Sequence, residues 1–98
     1  MLIAHVIFSV APENRTSAIE TLKQEVSAVR AMDGCIAFIP FLDATNQQDV
    51  GVLHEWASSD SFEAYIASDS FVSIGETLRP IMVTPPTSKR FDATINQN

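Results

Sequence analysis

An α+β fold with the order β-α-β-β-α-β follows from three observations in the sequence. Short runs rich in β-branched and aromatic residues alternate with runs whose apolar residues recur at helical spacing. Both faces of the first two strand-like runs are apolar. The 98 residues amount to one domain, 1–98, and 46% of them are hydrophobic, enough for a real core.

The elements follow in order. Residues 2–11 end at Pro12 and read as a strand. Between 14 and 32, Ile19, Leu22, Val26 and Val29 sit at helical spacing. Ser17 with Glu20 fits a capping box, Asn14 and Thr16 are alternative caps, and Gly34 fits a C-terminal stop. Residues 35–43 form a second apolar strand, which Pro40 assigns to an edge or a bulge. A polar turn over 44–49 leads to a third strand at 50–57. Ser58 or Ser59 caps a short helix with Phe62, Tyr65 and Ile66 on one face. Asp69 and Ser70 restart a second helical segment, with Phe71, Ile74 and Leu78 on one face and Pro80 at its end. Residues 81–86 read as loop, 88–95 as a half-exposed final strand, and 96–98 as a frayed tail. This is the split-βαβ pattern of ferredoxin-like folds, with a four-stranded antiparallel sheet.

Charge narrows the partners. The net charge is −6, from 12 acidic and 6 basic residues, and only Lys89 and Arg90 are adjacent cations. Nucleic acid and anionic membranes both require clustered Lys and Arg, so neither is expected as a partner. The single cysteine, Cys35, has no intramolecular disulfide partner, which fits a reducing, cytoplasmic setting. The apolar start is too short to span a bilayer and has no basic leader, so it reads as a strand and not as a signal peptide.

The apolar faces predict association. In the first strand Ile3, His5 and Ile7 lie on one face, and Leu2, Ala4, Val6, Phe8 and Val10 on the other. In the second, Cys35, Ala37, Ile39 and Phe41 oppose Ile36, Phe38 and Leu42. The helices suffice to cover one face of a four-stranded sheet. Packing the other face against a second copy removes a large apolar patch from water, so a homodimer is expected.

Few side chains carry chemistry. His54 is a candidate general base, since imidazole titrates near neutral pH. Trp56 shares its face and is a candidate aromatic wall for a flat substrate. His5 is a third candidate, in mid-strand. Two histidines without a Cys or carboxylate cluster make no metal site. No glycine-rich phosphate loop occurs and no cofactor is expected. Cys35 has no recognisable activating partner.

The stretch from His54-Glu55-Trp56 through Ser58, Phe62, Tyr65 and Ser68 to Phe71 resembles the core signature of the antibiotic biosynthesis monooxygenase superfamily. Asp33-Gly34-Cys35 and the Pro12 exit of the first strand are also similar to it. The resemblance implies a dimeric α+β barrel whose pocket lies between the sheet and the second and third helical segments. It places Tyr65 where relatives keep a pocket histidine, and His54 where many have Glu. It makes Phe62, Ile66, Phe71, Ile74 and Leu78 part of the pocket wall, and Tyr65 a phenol that steadies a developing anion. Heme-degrading relatives carry an axial His where this chain has Gly75, so no heme is expected. The implied reaction is cofactor-independent oxidation of a small anthrone or hydroquinone by O₂. Two alternatives stand beside it. One is isomerisation of a phosphorylated keto-sugar, with Lys89 and Arg90 meeting the phosphate. The other is a binding module without turnover.

Overall fold

The computed structural model describes residues 1–96; Gln97 and Asn98, the end of the tail expected to fray, lie outside the described residues. The elements are β1 (Leu2–Val10), α1 (Arg15–Arg30), β2 (Cys35–Leu42), β3 (Asp49–Trp56), α2 (Ser59–Ile66), α3 (Asp69–Leu78) and β4 (Met82–Asp92). Single 3₁₀ turns at Pro12–Asn14 and Arg79–Ile81 join β1 to α1 and α3 to β4. The sheet order is β2-β3-β1-β4, with every neighbouring pair antiparallel. The expected ferredoxin-like sheet is therefore present.

Strand alternation decides which residues face the helices. Ala4, Phe8 and Val10 of β1 are buried with Val50, Val52 and Trp56 of β3 and Phe38 of β2. Ala18, Leu22 and Val29 of α1 close over them, with Phe62 and Tyr65 of α2 and Leu78 of α3. Among the described residues nothing covers the opposite face of the sheet. Ile39 of β2 and Phe91 of β4 are 45% and 51% exposed there.

Local chemistry sets the joints. Asp43 accepts from both the backbone and the hydroxyl of Thr45, and the Asn46 side chain accepts from the amides of Gln48 and Asp49. These side-chain turns hold the β2–β3 hairpin without glycine. Ser58 caps α2 by accepting from the Ser61 amide, and Ser68 caps α3 by accepting from the Phe71 amide. The Ser68 hydroxyl also donates to the Tyr65 carbonyl at 2.6 Å, so one side chain holds the break between the two helices.

Several expectations need correction. Residues 82–86 are not loop but the first half of β4. The register jumps from Ile7↔Thr87 to Ser9↔Thr84, and Pro85 and Pro86 fall in that irregularity, where a missing N–H costs no ladder bond. The same strand ends at Asp92, short of 95. Ser17 is not the N-cap of α1. Its hydroxyl donates to the Asn14 carbonyl, and Glu20 pairs with Lys23 instead of closing a capping box. Gly34 does not directly end α1, whose C-cap is Ala31. It turns the chain into β2 at φ +81°, and a Cβ there would lie 2.0 Å from the Ser61 hydroxyl. A bulge pairs Cys35 with Trp56 and Ala37 with Glu55, so Cys35 packs against the helix-side core while Ile36 is exposed. Pro40 sits on the edge strand β2, as expected.

Candidate functional site

Between the helix-facing side of the sheet and α2 and α3 lies a cavity of about 200 Å³. Val6 and Phe8 of β1 and Val52 and His54 of β3 form its floor. Phe62, Tyr65 and Ile66 of α2 and Phe71, Ile74 and Leu78 of α3 form its wall. Met82, Pro86, Ser88 and Arg90, at alternate positions of β4, line its outer side with Arg79. The lining is predominantly apolar, as small-molecule sites are.

His54 is the buried polar group of this wall, 3% exposed. It sits among rings. Phe38, Phe62 and Tyr65 have centroids 5.4–5.7 Å from the imidazole. The Trp56 indole N–H donates to His54 Nδ1 at 2.8 Å. An indole only donates, so Nδ1 must accept, and the proton of the neutral ring belongs to Nε2. Burial, with the nearby Arg90 charge adding to it, pushes the imidazole down to about 4. At neutral pH His54 is thus uncharged and carries an N–H. Among the described residues Nε2 has no protein partner, and it is not a sealed, unsatisfied atom, so it opens to the cavity. The geometry provides a hydrogen-bond donor in place of the general base expected from sequence. The lone pair a base would use is already taken by Trp56.

Trp56 supports His54 from behind. It is fully buried and stacks on Tyr65 with centroids 5.3 Å apart. It does not line the cavity, contrary to the expectation of an aromatic wall for substrate. Tyr65 also packs edge-on to Phe71, at 5.5 Å. Burial drives its phenol far above the usual range, and the charges of Glu25 and Cys35 push it the same way. Tyr65 is therefore a neutral phenol at any physiological pH. Cys35 is no activated nucleophile, since burial raises its thiol too.

The sequence candidates separate cleanly. His54 and Tyr65 share the cavity with the predicted wall residues Phe62, Ile66, Phe71, Ile74 and Leu78. His5 lies on the opposite, uncovered face, stacked on Phe41 at 5.8 Å. Lys89 and Arg90 also part company. Lys89 pairs with His5 in the sheet register and Arg90 with buried Ala4, so Arg90 alone reaches the cavity. The Arg90 guanidinium lies over the Phe62 ring, 4.6 Å from its centroid. Sequence reasoning did not place Arg79 and the first half of β4 at the site. Alternation of Met82, Thr84, Pro86, Ser88 and Arg90 was the available signal, and the adjacent prolines obscured it. Among the described residues no group of His, Cys, Asp and Glu is spaced to hold a metal, and no helix is long and apolar enough to cross a membrane.

Comparison with known proteins places this geometry. A candidate antibiotic biosynthesis monooxygenase from Nitrosomonas europaea superposes with a TM-score of 0.91 at 13% identity, over 97% of this chain and 100% of that one. One from Deinococcus radiodurans gives 0.90 at 18% identity, over 100% and 97% of the two chains. A protein from Mycobacterium tuberculosis gives 0.88 at 13% identity, over 99% and 98%. These likenesses show a shared fold. No curated protein matches the sequence. The family model described as antibiotic biosynthesis monooxygenase matches residues 1–76, from β1 through most of α3, and the chain belongs to that family.

Proposed function

We propose that the protein is a cofactor-independent monooxygenase that oxidises a small hydroxyaromatic compound with O₂, acting as a cytoplasmic homodimer. One observation carries this reading: a neutral imidazole, fixed by Trp56, points an N–H into an apolar cavity walled by aromatic rings.

Such a donor is suited to an oxygen that gains negative charge. The substrate gives its hydroxyl proton to water as it enters, and the N–H at His54 Nε2 stabilises the phenolate oxygen seated against it. Tyr65 contributes its ring to the wall, and its neutral hydroxyl is a further donor. The pocket thus acidifies the substrate without a protein base. The electron-rich ring then gives one electron to O₂ held beside it in the dry cavity, and the two radicals combine at the ring carbon. The resulting peroxide anion takes a proton back from water, then breaks its O–O bond and the C–H bond of the same carbon, losing water and leaving a carbonyl. One oxygen atom enters the product, the other leaves as water, and the substrate ring supplies all four electrons. Family membership and the names of the structural neighbours support the reaction class. Size narrows the substrate. An engineered cavity of about 150 Å³ holds benzene. About 200 Å³ therefore suits one or two rings better than the three of an anthrone.

The isomerase alternative called on Lys89 and Arg90 together, and their placement on opposite faces of β4 weighs against it.

Oxygen uptake by the metal-stripped protein, offered naphthols and hydroquinones, tests the reading. Uptake should exceed autoxidation, and His54→Leu should lower kcat about 100-fold, the usual effect of losing one such donor. Tyr65→Phe should also slow turnover. Uptake no faster than autoxidation with every compound, or full rates in both variants, would refute it.

A further inference from the structure

The cavity carries two cations that the proposed oxidation does not require. Arg79 and Arg90 both line it, and among the described residues neither forms an ion pair or side-chain hydrogen bond. In a chain with 12 acidic residues against 6 basic ones, two unpaired guanidiniums at one apolar cavity stand out. Arg79 has a local duty, because it follows α3 directly and complements the carbonyl end of that helix. Arg90 has none. Its guanidinium is held over the Phe62 ring, which places it without neutralising it. Space has been left for Arg79 as well. A Cβ at Gly75 would lie 3.2 Å from the Arg79 guanidinium, so the bare glycine lets the cation lie against the helix.

We infer that the cavity selects an aromatic carboxylate, with the ring among Phe62, Tyr65 and Phe71 and the carboxylate at the mouth between Arg79 and Arg90. This rests on the cavity being the substrate site proposed above, and it adds the substrate's charge. Two planar guanidiniums match a planar carboxylate, and both are weakly hydrated enough to sit beside apolar walls. The mouth also explains why the charge should be single. It lies at the carbonyl end of α3 in a protein of net charge −6, a setting that penalises a phosphate dianion more than a carboxylate. A substrate bound this way is a hydroxyaromatic acid, its hydroxyl inward at His54 and its carboxylate outward.

Calorimetric titration with 2-naphthoate and with 2-naphthylmethanol separates charge recognition from oxidation. The two probes share one aromatic body, and neither carries a ring hydroxyl to oxidise. The naphthoate should bind about tenfold tighter, the difference that one charge-assisted contact supplies. The preference should shrink at high salt and vanish when Arg79→Gln and Arg90→Gln are combined, both being exposed side chains whose loss leaves the core intact. Equal affinities for the two probes, a preference that survives the double substitution, or inorganic phosphate displacing naphthoate at comparable concentration would overturn the inference. Naphthol oxidation measured in parallel is scored separately. Uptake without carboxylate preference sinks this inference alone, and carboxylate preference without uptake sinks the oxygenase reading alone.

Discussion

At the scale of single residues, the proposed chemistry rests on the pair His54 and Trp56. A strand histidine is normally free to gain a proton near neutrality. Here burial, with the nearby Arg90 charge adding to it, holds it uncharged, with a folded value of about 4 against 6.5 for the free group, and the Trp56 donor fixes its tautomer. Because the folded value is the lower one, the unfolded chain takes up the proton first as the pH falls. The stability linked to His54 is therefore complete above pH 6.5 and is lost as the pH drops toward 4, by on the order of 3 kcal/mol. Nitrogen-detected NMR should show the Nε2-protonated neutral tautomer persisting to about pH 4, and Trp56→Phe should remove the tautomer preference. A midpoint near 6.5 in the native protein would contradict this account. That His54 and Trp56 share a face was legible in the sequence, because strand side chains alternate. That Trp56 occupies Nδ1, and so makes a donor of a presumptive base, depends on rotamers and packing that periodicity does not encode.

Among the elements, the break between α2 and α3 matters most, since Tyr65 and Phe71 of the site flank it. Ser68 accepts from the Phe71 amide and donates to the Tyr65 carbonyl. Ser68→Ala should cost about 1–2 kcal/mol, the upper part of the range for a lost cap, because both contacts go together. Urea unfolding at neutral pH measures it, and a change within a few tenths of a kcal/mol would show that the cap is not stabilising. The broken helix was readable from its Ser and Asp start signals and its two apolar stripes. The last strand was only half readable. Lys89-Arg90-Phe91 alternates visibly, while Pro85-Pro86 reads as loop in any local window. Only the register with β1 shows the prolines lodged in an irregular stretch of an edge strand, and with them the outer wall of the cavity.

Across the whole molecule, the uncovered sheet face is the surface on which the proposed homodimer rests. Ile3, His5, Ile39, Phe41, Leu53 and Phe91 form a shallow apolar hollow that no layer covers among the described residues. The sequence already pointed to this surface, because β1 and β2 are apolar on both sides. In the proposed homodimer a second copy of the chain, packed face to face, covers it. Sedimentation velocity should give twice the mass of one chain, and Ile39→Glu with Phe91→Glu should give single chains with a lower unfolding midpoint. Native protein that sediments as a single chain at every concentration would rule the dimer out. The prolines have a separate consequence for assembly. Both outer strands of the sheet carry them, Pro40 on β2 and Pro85 with Pro86 on β4. A strand from another chain arriving at either rim meets gaps in the row of N–H groups it would need to continue the ladder. Growth by strand addition is hindered in both directions, which leaves the broad face for association, and the two-fold contact of the proposed homodimer closes after two copies without propagating into a fibre.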